Sequence, residues 1–122
     1  SNGGGYNDSQ VDTVSGYYAG NWYGPIPGKP LGGLWCTVSQ AGDDTWDAKF
    51  VATFGETGEY DVSLQGKREG DSVVFGGAED LGESNDGVFD WTGRIEGDTF
   101  LGEYTASTYK GTFKMYRTDK PE

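Results

Sequence analysis

Three carboxylates gather near one turn of this chain: Asp43, Asp44 and Asp47. Two carboxylates can share the acid and base roles of glycoside hydrolysis. Here Asp43 and Asp44 sit on the turn and Asp47 takes an outward position, so the spacing implies no cleft. A second acidic stretch lies in the loop Ala78 to Gly87, where Glu79, Asp80, Glu83 and Asp86 stand beside Asn85. Oxygen-rich loops bind calcium, but this spacing is not that of an EF-hand, and a solvated acidic loop is the plainer reading. The sequence contains no His. That removes the commonest general base and the usual zinc and haem ligand together. The single Cys36 lies in an apolar run and reads as a small buried hydrophobe rather than a nucleophile. No Ser stands in a nucleophile elbow, and no helix opens on a glycine-rich phosphate cradle. The expectation is a non-enzymatic chain without a metal or a cofactor.

Composition bounds the remaining possibilities. The 122 residues suffice for one domain with one core. Hydrophobic residues make up 34% and aromatics 15%, so the core must rest on few, large side chains. Nine basic residues against 20 acidic ones leave a charge of −11. Such a surface repels phosphate backbones and anionic lipids, which argues against nucleic acid and membrane-surface partners. It serves solubility at high salt, or attracts cations or a basic partner. No apolar stretch reaches the ~20 residues of a membrane span. Ser1-Asn2-Gly3-Gly4-Gly5 reads as a cloning scar or the remnant of a processed, linker-like terminus, and an extracytoplasmic or secreted location is expected.

The elements that must carry these residues are short strands. Residues 1–14 are polar, Gly-rich and without period, a flexible lead-in; 15–118 form the domain; 119–122 are a polar tail. From Gly16 onward, runs of alternating apolar and polar residues are separated by Gly, Asp, Asn and Glu, and no helical period appears. The run Thr45 to Phe54 is the clearest: Trp46, Ala48, Phe50, Ala52 and Phe54 share one face. Further runs cover Tyr17 to Tyr23, Leu34 to Gln40, Tyr60 to Gln65, Val73 to Phe75, Phe89 to Ile95, Phe100 to Thr105 and Tyr109 to Arg117. The prolines at 25, 27 and 30 mark a stiff loop or an edge. A Gly-basic-x-Glu-Gly-Asp-hydroxyl frame occurs at Gly66 to Ser72 and again at Gly93 to Thr99, a repeated turn with a residue that tolerates positive φ. About eight strands joined mostly by tight turns predict an all-β, antiparallel up-and-down meander closed into a small barrel, since closure removes the edges.

Gly20, Gly93, Gly102 and Gly111 fall on the aromatic face of their strands. They either let a narrow barrel bend and pack, or leave room for a ligand. Filled or empty notches therefore separate a scaffold from a binder.

Tyr18-Ala19-Gly20-Asn21-Trp22-Tyr23 resembles the first-strand signature of the lipocalins and the wider calycin group. The resemblance implies that Trp22 closes one end of a barrel and that a basic residue near the last strand, here Arg117, packs across it as a cation on an indole face. Gly24-Pro25 departs from the family's strand continuation. The resemblance further implies a small apolar or aromatic ligand at one open end, with Trp22, Trp46, Phe50, Trp91, Phe100, Tyr104, Phe113 and Arg117 as the ligand-binding set. The alternative is a filled barrel that works through its acidic surface as an extracytoplasmic interaction or accessory domain. Trp35, Tyr116, Tyr17 and Tyr23 take outward positions, where clustered aromatics would form a sugar-stacking or partner-binding patch.

Overall fold

The computed structural model describes residues 12–53, 59–80, 87–108 and 110–119, with the backbone alone at 59–61. Eight strands follow one another: β1 Gly16–Tyr23, β2 Pro30–Gly42, β3 Thr45–Thr53, β4 Glu59–Glu69, β5 Ser72–Asp80, β6 Val88–Glu96, β7 Thr99–Thr105 and β8 Lys110–Thr118. Each pairs antiparallel with the next, and β8 returns to β1, closing the barrel. Every strand has a neighbour on both sides, as the meander predicted, although β4 and β5 pair only over Gln65–Glu69 and Ser72–Gly76. Phe54, Tyr109 and residues 81–86, with Glu83 and Asp86 of the acidic stretch, lie outside the described residues, and so does the side chain of Tyr60.

The alternation expected for β3 is realised: Trp46, Ala48, Phe50 and Ala52 are buried. Two-residue turns join β2 to β3, β4 to β5, and β6 to β7. Gly70 and Gly97, the matching positions of the repeated frame, hold φ of 63° and 59°, where a side chain would be strained. All three short turns lie at one rim, and the longer connections leave from the other. Two boundaries differ from expectation. Pro30 opens β2, the one strand position where its missing N–H costs nothing. Ala78, Glu79 and Asp80, expected in the acidic loop, extend β5 because Val88, Phe89 and Asp90 pair with them.

The chain seals the short-turn rim with its own N-terminal segment. Val14, placed by sequence in a flexible lead-in, is buried in the core. Asp12 Oδ1 accepts from the N–H groups of Val14 and Ser15, both at 3.0 Å, and from Trp46 Nε1 at 3.1 Å. Tyr18 donates its phenol to the Val14 carbonyl at 2.7 Å. The middle of the barrel is solid with rings. Phe50 meets Phe100 at 5.3 Å and Phe113 at 5.6 Å between centroids, both edge-on, and Phe75 meets Phe100 at 5.0 Å. Such contacts add roughly 0.5–1.5 kcal/mol each beyond area burial.

Candidate functional site

The glycine notches are occupied. A Cβ at Gly93 would lie 2.7 Å from the Phe100 ring and 2.9 Å from Phe113; one at Gly111 would lie 2.5 Å from the Tyr104 hydroxyl. At Gly20 and Gly102 it would strike neighbouring backbone, 2.0 Å from Lys114 O and 2.1 Å from Thr92 O. Small residues thus admit large neighbours, which is the packing use of inward glycine.

The predicted ligand-binding residues separate by height in the barrel. Trp46 and Arg117 stand at the sealed rim, and Phe100 packs below the middle against Tyr18 at 5.7 Å. These three do not face an open end. Phe50 and Phe113 form the solid middle. Trp22, Trp91 and Tyr104 remain near the longer connections, in a ring cluster with Phe89: Trp91 lies 5.2 Å from Tyr104 and 6.2 Å from Phe89, and Trp22 lies 5.6 Å from Tyr104. Phe89 was legible as inward-facing, but nothing in the sequence singled it out for this end.

Arg117 does not cover Trp22. Strand β8 runs antiparallel to β1, so Arg117 pairs with Tyr18 and Trp22 pairs with Phe113, about 13 Å further along. The guanidinium carbon sits 5.0 Å over the Tyr18 ring. Its Nη2 donates to the Tyr18 hydroxyl at 2.8 Å and to the Thr13 carbonyl, Nη1 donates to the Ser15 carbonyl at 2.8 Å, and Nε donates to Asp98 at 3.2 Å. The cation expected at a ligand mouth instead fastens the N-terminal segment. Arg68 also stacks on a ring at this rim, pairing with Asp44 at 3.1 Å and lying 5.0 Å over the Trp46 ring.

Electrostatics follow this packing. Burial raises the Tyr18 phenol to about 12, against the opposing pull of Arg117. Burial also pushes the Cys36 thiol well above its ordinary range, so it is held as a neutral hydrophobe. Burial pushes the Asp12 carboxyl up, but hydrogen bonds from Ser15, Val14 and Trp46 outweigh it and the group ends below its usual value. Among the described residues no three His, Cys, Asp or Glu converge as metal ligands. No helix among them is long and apolar enough to cross a membrane.

At the end of the longer connections the hydrogen bonding among the buried rings is uneven. Trp22 Nε1 donates to Thr53 O and the Tyr104 hydroxyl to Tyr23 O, each at 2.7 Å. Trp91 Nε1 is buried and has no partner, alone in this among the buried side-chain polar atoms of the described residues. An orphaned N–H of this kind costs about 1–3 kcal/mol and calls for a reason.

An eight-stranded antiparallel meander, sealed at one end and ring-lined at the other, has a calycin-like fold. The crystal structure of a point mutant of the fluorescent protein UnaG is similar to it, with a TM-score of 0.50 at 11% identity, covering 88% of this chain and 98% of that one. No family model and no curated protein matches the sequence.

Proposed function

We propose that this chain is a non-catalytic binding barrel that takes a small aromatic molecule bearing a hydrogen-bond acceptor among the rings at the end opposite the N-terminal segment. Trp91 Nε1 carries the reading: a buried donor without an acceptor, set among Phe89, Tyr104, Phe50 and Phe113. Trp22 and Tyr104 spend their donors on backbone carbonyls, whereas the Trp91 donor is unspent and is the one a guest's acceptor would meet. The calycin-like fold supports a ligand at a barrel end without indicating which.

The test uses anilinonaphthalene sulfonate, an aromatic probe with an anionic acceptor. Saturable binding of one probe per chain, weakened about tenfold by Trp91→Phe, is expected from loss of one hydrogen bond to a charged group. Absence of saturable binding, or equal binding by the variant, overturns the reading. The interlocked rings and occupied notches favour the second reading in that event: a filled barrel, extracytoplasmic in setting, that works through its outer surface.

A further inference from the structure

Barrel closure assembles a face that the linear sequence scatters. Strands β2, β1 and β8 are contiguous, and none of the three contains an Asp or Glu. Each of β3 to β7 carries at least one outward carboxylate, namely Asp47, Glu69, Asp80, Asp90 and Glu103. In a molecule of charge −11, three neighbouring acid-free strands form a distinct surface. It is also aromatic. Trp35 and Tyr116, 37% and 53% exposed, flank Ala19 in one cross-strand row. Their strands are two steps apart, about 10 Å. Beside them an open trough of about 220 Å³ is lined by Tyr17, Ala19, Trp35, Thr37 and Thr118. Lys49 pairs with Thr37 at its edge, and Lys114 lies 5.4 Å over the Tyr116 ring.

We infer that this outer face binds an acidic glycan chain. Sugar rings offer an apolar C–H face to stack on indole and phenol, and hydroxyl edges that match Thr37, Thr118 and Tyr17. Anionic groups on the sugar find Lys114 on β8 and Lys49 at the neighbouring edge of β3, with no carboxylate on β1, β2 or β8 to oppose them; Asp47, two residues from Lys49 on the outward face of β3, borders the site. Charge beyond a Debye length, about 8 Å at physiological salt, is largely screened, so the local surface decides and not the net −11.

Affinity electrophoresis in gels containing polygalacturonate, dextran sulfate or neutral dextran tests this. Retardation by one or both anionic polymers is expected, identifying carboxylate or sulfate as the group recognised. Trp35→Ala should weaken it about tenfold, as truncation of a central aromatic anchor does. The Lys49→Ala/Lys114→Ala pair should weaken it and remove most of its salt dependence. All three residues are exposed, so unchanged melting checks that the variants fold. Trp91→Phe should leave retardation intact, which keeps this face distinct from the barrel end. No retardation by either anionic polymer, equal retardation by neutral dextran, indifference to Trp35→Ala, or a dimer in sedimentation that Trp35→Ala dissolves would each overturn it.

Discussion

Arg117→Met should detach the N-terminal seal. The substitution keeps an apolar stem of similar length and removes five donors. Lost with them are the bonds to Ser15 O, Thr13 O and the Tyr18 hydroxyl, and the stacking on the Tyr18 ring. Bonds from a charged donor are worth about 1.5–3 kcal/mol each, but they share one group and the carbonyls of 13 and 15 can turn to water, so they do not sum. The exposed Asp98 pair adds little. A net loss of about 3 kcal/mol is expected, and at about 4 °C per kcal/mol the melting temperature falls by roughly 12 °C. Arg117→Lys should recover less than half, because an ammonium cannot span three acceptors. Melting by near-ultraviolet circular dichroism measures the loss. Indole hydrogen exchange localises it: Trp46, tied to Asp12, should lose protection before Trp22, tied to Thr53. A change under about 2 °C, or equal loss of protection at both indoles, would refute the clamp.

Other outcomes follow from packing and burial. Gly102→Ala puts a Cβ 2.1 Å from Thr92 O and 2.7 Å from Gly93 Cα, which no rotamer relieves, and should cost about 3 kcal/mol in urea unfolding. Gly76→Ala, whose nearest neighbour is 3.8 Å away, should be neutral or slightly stabilising in the same assay. Cys36 should resist a thiol reagent such as dithionitrobenzoate in the native protein and react at once in denaturant; rapid native labelling would contradict its burial. The Tyr18 phenol, raised from 10.0 to about 12, keeps its proton in the fold after the unfolded chain has lost it. Its contribution is therefore complete below pH 10 and fades as pH rises toward 12. Tyr18→Phe should flatten the decline in melting temperature across that window, and an unchanged slope would remove Tyr18 as its source.

Period-two alternation told which face each residue takes, because successive side chains in a strand must point to opposite sides. Hence the buried set of β3, the strand number and the positive φ at Gly70 and Gly97 were all readable from residue types. Alternation carries no information about height. Only the register between strands fixes which end of the barrel a ring occupies, and register is a long-range property of closure. That is why the sequence grouped Trp46, Phe100 and Arg117 with Trp22, Trp91 and Tyr104, while the fold sends the first three toward the sealed rim. The same pairing seated Arg117 on Tyr18, extended β5 through Asp80 and brought β2, β1 and β8 side by side. The residue types required an aromatic barrel notched by inward glycines, and only the packing shows those notches filled. Tertiary structure decided where the orphaned Trp91 indole and the acid-free face would lie.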